Sequence, residues 1–242
     1  MYRNIKKYEL RYTDFDAYDN LKLSSLLSFL EESACISADE LGFGYSEISK
    51  KNIGFIVLNW YIELKRPIKL NDVLEIHTWP LKPKFSIFLR DFELYSDGEK
   101  VGVATARWCM VDTQSFRILP VSAFFEEGAF DSYNTERSIE FKNWKIPAAD
   151  GGVKVYSREV RYSDYDHYFH VNNTKYADYL LDVFKVDELE KPFNTIQITY
   201  SKQCKEGEII DYIRKDLTGG AIIEGSVDGE VRVQLMVSRN GF

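Results

Sequence analysis

The sequence predicts an α+β protein made of one module used twice, each copy a helix followed by an antiparallel meander. Three observations carry this. The phrase Arg11-Tyr12-Thr13-Asp14-Phe15-Asp16-Ala17-Tyr18 returns as Arg161-Tyr162-Ser163-Asp164-Tyr165-Asp166-His167-Tyr168, every pair 150 apart (11 to 161, 16 to 166). Each phrase runs into a stretch of helical periodicity, and strand-like runs rich in aromatic and β-branched residues follow. Asp97-Gly98 and Asp228-Gly229 mark a hairpin in each copy, since Asp-Gly readily supplies the positive φ such turns need.

Taken in order, residues 9–15 alternate and are expected as a strand. Residues 21–41 are expected as a helix, with Leu23, Leu26, Leu27, Leu30, Ala34 and Ala38 recurring at three- to four-residue spacing. Asn20 is the expected N-cap and Gly42 the C′ stop. Strands are expected over 55–65, 72–79, 85–96 and 100–112. The second copy repeats the plan with a strand over 154–165, a helix over 172–186, and strands over 194–204, 208–215, 221–227 and 230–238. Residues 147–152 have linker composition, which divides the chain into units 1–146 and 147–242. After the helices the copies realign at an offset of 136, Ile62-Glu63-Leu64 against Ile198-Thr199-Tyr200, so the first copy holds extra loop around residues 42–54. Two such sheets are expected to pair edge to edge, which removes exposed edges.

Composition narrows the function. Hydrophobic content of 45% and aromatic content of 15% over 242 residues suffice for a packed core. A net charge of −7 argues against nucleic acid as partner. No apolar run is long enough to predict membrane insertion, and the N-terminus lacks the apolar stretch of a signal peptide. Three widely spaced cysteines, Cys35, Cys109 and Cys204, fit a reducing compartment, so a cytoplasmic location is expected. Lys65-Arg66, Lys82 with Lys84, and Lys142 with Lys145 are local basic groups, read either as solvated faces or as a dock for an acidic carrier.

Chemistry is expected in the second copy. Its phrase continues Phe169-His170-Val171-Asn172-Asn173, whereas the first continues Asp19-Asn20-Leu21-Lys22. His170 falls immediately before the helix, where a substrate carbonyl would face free backbone N–H groups at the positive helix end. Asp166 is placed to orient His170 or to polarise water, and equally to make a turn, as its twin Asp16 would. Asn172 and Asn173 are read as helix caps or as positioners of donors. Cys204 is read as a buried filler or as a nucleophile beside His170. His167 and His170 give only weak metal-type spacing. The absence of a Gly-x-Ser-x-Gly element favours direct attack by water.

The segment Asp164-Tyr165-Asp166-His167-Tyr168-Phe169-His170-Val171-Asn172-Asn173-Thr174-Lys175-Tyr176 resembles the active-site segment of acyl-acyl-carrier-protein thioesterases, Asp-x-Asn-x-His-Val-Asn-Asn-x-x-Tyr. Trp60-Tyr61-Ile62-Glu63, His77-Thr78-Trp79-Pro80 and Arg90-Asp91-Phe92-Glu93 are like the family's first-half landmarks, and Tyr200-Ser201-Lys202-Gln203-Cys204 is similar to its Tyr-x-x-Glu-Cys segment. The resemblance spans nearly the whole chain. It implies a tandem hotdog fold, each half a long central helix wrapped by an antiparallel β-sheet, and release of free fatty acid from acyl carrier protein. It implies Asp166, His170, Gln203 and Tyr168 at the catalytic positions, Asn172, Asn173 and Cys204 beside the substrate, and no cofactor. The partner implied is acyl carrier protein through its acyl-phosphopantetheine arm; a homodimer is left open. Two positions depart from the family pattern, Tyr168 for Asn and Gln203 for Glu; Gln cannot serve as a base but can hold water or donate. An acyl-CoA thioesterase, or a protein that binds acyl chains or carrier without turnover, is the alternative. The first copy is expected to supply the acyl pocket, with Leu26, Leu30, Ile56 and Leu58 as lining.

Overall fold

The computed structural model describes residues 2–126, 128–130, 133–166 and 169–242. The first copy contributes β1 (Asn4–Tyr8), α1 (Leu23–Glu40), α2 (Tyr45–Ile48), β2 (Ile53–Leu64), β3 (Leu74–Pro80), β4 (Ile87–Ser96), β5 (Glu99–Asp112) and the short β6 (Ile118–Leu119). The second contributes β7 (Val153–Glu159), α3 (Asn173–Leu181), β8 (Thr195–Tyr200), β9 (Ile209–Leu217), β10 (Gly220–Val227) and β11 (Glu230–Ser238). All pairings are antiparallel, in the order β1-β3-β4-β5-β2-β8-β11-β10-β9-β7, with β6 on β5. Read inward from either end, the order is the same for both copies. They meet where β2 pairs with β8. Tyr61 faces Gln197 there, and these are equivalent residues at the offset of 136 (61 to 197). A local two-fold axis therefore passes through that pair.

Packing follows the pattern of apolar residues. Leu23, Leu26, Leu27, Leu30 and Ala34 turn inward from α1, Tyr176, Ala177 and Leu180 from α3, and one continuous core joins both helices to both halves of the sheet. Trp60 and Ile62 of β2 and Ile198 of β8 lie inside it, so the seam between copies is core as well as hydrogen bonds. Both Asp-Gly turns form with positive φ at each residue, 51° and 82° at Asp97-Gly98, 49° and 78° at Asp228-Gly229.

Several expectations are corrected. The first strand occupies Asn4–Tyr8 rather than 9–15, and β7 ends at Glu159 rather than 165. In each copy the alternating residues instead close a single 3-10 turn, Tyr12–Asp14 and Tyr162–Asp164. The reason is local: the Arg11 and Arg161 N–H groups donate to the carboxylates of Asp14 and Asp164, both at 2.8 Å. Lys22, not Asn20, stands at the N-cap of α1. Asn20 is spent on the preceding turn, its N–H donating to Asp16 Oδ1 at 2.9 Å. Gly42 follows α1 with φ +80°, the left-handed stop expected of it.

The helices are unequal. α1 has 18 residues, but α3 has 9 and stops at Leu181, short of residue 186. Beyond it, Val186–Leu189 forms a separate 3-10 turn, fixed where Glu188 accepts from Lys185 N–H at 2.8 Å and from Arg214 at 2.6 Å. The residues between copies are not a free linker. Phe141 stacks on Tyr61 at 3.7 Å, Trp79 Nε1 donates to Glu136 O, Gln197 Nε2 to Asn143 O, and Arg137 pairs with Asp91 at 2.8 Å. Ile146 and Ala149 then pack on Ile222. The segment is a strap laid along the sheet.

Candidate active site

The second duplicated phrase builds a rigid hook in front of α3. Asp164 takes the Arg161 N–H, an Arg158 guanidinium N–H at 2.8 Å and the Tyr179 hydroxyl. Burial works to raise its pKa, but these donors outweigh it and hold the carboxyl below the usual range. Asp164 O accepts Asn172 N–H at 2.8 Å, which fixes the approach to the helix. Asp166 N–H then donates to His170 O at 2.8 Å, while His170 N–H returns to Asp166 Oδ1 at 3.2 Å. Asp166 thus grips the backbone of His170. The chain between them passes through Phe169 at φ +59°, a conformation costly for a bulky side chain.

This hook sets His170 half-buried at the mouth of the helix. Its ring lies 5.3 Å from that of Phe116, which comes from the turn between β5 and β6 of the first copy. Asn172 caps α3, its Oδ1 accepting Thr174 N–H at 2.9 Å. Lys175 N–H goes to Asn172 O at 2.9 Å. Asn173 N–H, first in the helix, has no intrahelical acceptor. Asn173 O accepts the Tyr200 hydroxyl at 3.1 Å, joining the helix start to the end of β8.

The remaining expected residues are placed as follows. Cys204 is buried, and burial pushes its thiol up, so it is a neutral packing residue beside Tyr176 rather than a thiolate. Gln203 is exposed on the connection after β8. Tyr168 and its neighbour His167 lie outside the described residues.

The sequence reading missed Glu31 and Phe116, and gave Tyr200 only as the start of the Tyr-x-x-Glu-Cys-like segment. Glu31 projects from α1 of the first copy, with Oε1 sealed from solvent and no hydrogen-bond partner among the described residues. Burial, and then the charge of Asp166, push its carboxyl up to about 8. The same carboxyl, after burial, raises Tyr200. Glu31 of the first copy is thus close enough to Asp166 and Tyr200 of the second for their charges to be felt. A sequence signal existed, since Glu31 stands four residues after Leu27 on the apolar stripe of α1.

The two-fold mate of this region is a cavity of about 350 Å³ edged by Asp16, Asn20, Leu64 and Leu181. Its hook repeats the bonds, Asp16 N–H to Asn20 O at 2.9 Å and Asn20 N–H to Asp16 Oδ1 at 2.9 Å. A separate cleft of about 520 Å³ is edged by Arg107, Lys142, Lys145, Asn59 and Tyr200.

The antiparallel sheet thus joins two modules related by a local two-fold, and one of them sets a histidine-bearing hook before its helix. The family model for the acyl-ACP thioesterase N-terminal domain matches residues 2–126, and that for the C-terminal domain matches residues 150–239. The chain belongs to the acyl-ACP thioesterase family. Curated relatives include the chloroplastic oleoyl-acyl carrier protein thioesterase 2 of Arabidopsis thaliana, 22% identical over 83% of this chain and 59% of its own. The chloroplastic palmitoyl-acyl carrier protein thioesterase of the same plant is 23% identical over 95% of this chain and 58% of its own. The chain thus spans about three fifths of the length of these relatives. Among solved structures, an acyl-ACP thioesterase from Bacteroides thetaiotaomicron superposes with TM-score 0.86 at 20% identity, covering 98% of this chain and 97% of that one. The 12:0-ACP thioesterase of Umbellularia californica gives 0.80 at 16% identity, covering 98% and 96%. At such identities these structures speak for the fold.

Proposed function

We infer that the protein hydrolyses fatty acyl thioesters of acyl carrier protein to free fatty acid and carrier thiol, by direct attack of water at the His170 hook. It is read as a double hotdog, the unit 1–146 presenting the acyl pocket and 147–242 the hook. The observation that carries the reading is the half-buried His170, held by Asp166 at the start of α3 in one of two otherwise matching hooks. The acyl carbonyl lies with its oxygen toward Asn173 N–H, where the helix end favours developing negative charge. His170 and Asp166 polarise the attacking water, and Gln203 and Tyr168 hold the thioester or the water. The acyl chain runs into the apolar interior of the first copy, where Leu26 and Leu30 are buried and Ile56 and Leu58 half-buried.

The basic cleft of Arg107, Lys142 and Lys145 offers a dock whose charge suits an acidic carrier and the phosphate of its pantetheine arm. Tyr200 edges that cleft while its hydroxyl reaches Asn173, which links a docking surface to the hook. The three unpaired cysteines fit a reducing compartment such as the cytoplasm.

The test is thiol release from acyl-carrier-protein substrates of several chain lengths. His170→Ala and Asp166→Ala are each expected to lower kcat/KM by about 100-fold or more. Failure of the wild type to release thiol from every such substrate would overturn the reading.

A further inference from the structure

The two hooks share a backbone and differ in what surrounds them. At the offset of 150, His170 stands where the first copy has Asn20, and Glu31 stands where the second has Leu181 (31 to 181). At the strand offset of 136, Tyr200 stands where the first copy has Leu64 (64 to 200). The cavity at the first hook brings Asn20, Leu64 and Leu181 together. The local two-fold carries their counterparts, His170, Tyr200 and Glu31, to the second hook. The Tyr200 hydroxyl on Asn173 O, and the electrostatic reach of Glu31 to both Tyr200 and Asp166, agree with that. At these three equivalent positions the first mouth has Asn20, Leu64 and Leu181, and the second has His170, Tyr200 and Glu31, the last from the opposite copy.

A carboxyl with an unpartnered Oε1, held where the related helix places leucine, is a costly arrangement that packing alone would not retain. The cost is recovered when substrate and water fill the mouth. We propose that Glu31 is the general base of the site, contributed by the first copy to the hook of the second. This rests on the thioester-hydrolase reading above and supplies the base that Gln203, an amide, cannot be. Water bonds to the thioester carbon as Glu31 takes its proton. The oxyanion collapses and the C–S bond breaks. The proton held on Glu31 passes to the departing sulfur, leaving carboxylic acid and thiol. Asn173 N–H holds the carbonyl oxygen throughout, while His170 and Asp166 position the water whose proton Glu31 takes.

The experiment is thiol release by the full chain, kcat and KM resolved, from about pH 6 to pH 10. The titratable groups facing Glu31 are Asp166 before α3, Tyr200 on β8 and Cys35 one turn along α1. A base raised to about 8 predicts a wild-type rate that climbs as pH rises through that value. Glu31→Gln should lower kcat by about 100-fold or more with little change in KM, and should abolish that climb. Glu31→Asp should restore part of the rate and the climb, and it reports in place of the amide should the latter fail to fold. Glu32→Gln, on the exposed side of α1, should match the wild type. Wild-type kcat and pH profile in Glu31→Gln, with turnover lost in His170→Ala, would overturn the role of Glu31 and leave the thioesterase reading standing. Absence of turnover in the wild type would overturn both.

Discussion

The two hooks of this molecule, Asp14 to Asn20 and Asp164 to His170, are the same device in different settings. Each begins with an aspartate that closes a 3-10 turn, passes through one residue of positive φ (58° at Asp19, 59° at Phe169) and ends clasped by a second aspartate. In the first, the clasped side chain is Asn20, only 2% exposed. In the second it is His170, open at the mouth and backed by Phe116. Duplication supplied the geometry twice; a few side chains, one from across the two-fold, decide where chemistry is expected. A frame that holds backbone by local hydrogen bonds leaves its side chains free to diverge.

The comparison sharpens most at the first aspartates. Asp164 is shared by Arg158, Tyr179 and the Arg161 N–H, whereas Asp14 is held by Arg11, whose side chain is 73% exposed. Asp164→Ala should cost about 3 kcal/mol, because it strands the Tyr179 hydroxyl inside the core. Asp14→Ala should cost about 1 kcal/mol, since Arg11 returns to water. Equal losses in urea midpoints would mean the hooks are anchored alike.

A middle-sized effect concerns Glu31. Its folded pKa of about 8 lies above the value near 4.3 of an unfolded chain, so between those values the folded state holds more protons. Stability should therefore fall as pH rises through that window and level off above it. Glu31→Gln should flatten this fall and leave the protein more stable at pH 8 by about 2 kcal/mol, gaining stability where it loses rate. Thermal melts at several pH values check this, and parallel profiles would refute it.

The smallest effect tests the strained residue. Phe169 is 83% exposed and left-handed, so Phe169→Gly should stabilise by about 1 kcal/mol. Asp19 occupies the equivalent position with a side chain that tolerates this conformation, and Asp19→Gly should be near neutral. Equal responses would show that Phe169 carries no special strain.

Much of this architecture was legible from the chain. The offsets of 150 and 136 pointed to a repeated module with sheets paired edge to edge, the structure supplied the seam at β2 and β8, and the Asp-Gly pairs foretold two hairpins. His170 and Asp166 stood out because only one copy has the histidine. Other features were misjudged where local chemistry overrode a pattern. Alternation at residues 9–15 looked like a strand until Asp14 claimed the Arg11 N–H. Residues after Leu181 looked helical until Arg214, a strand residue, claimed Glu188.

By itself the sequence determined the repeated phrase, the helix stripe and the hairpin turns, because each depends on residues close in the chain and on periodicities of 2 and 3.6. Tertiary structure alone decided that the inter-copy segment is a strap, that Phe116 backs His170, and that Phe141 of the strap stacks on Tyr61 of β2. Those contacts join residues dozens of positions apart. Their existence depends on how two sheets meet and two helices pack, which no local pattern encodes.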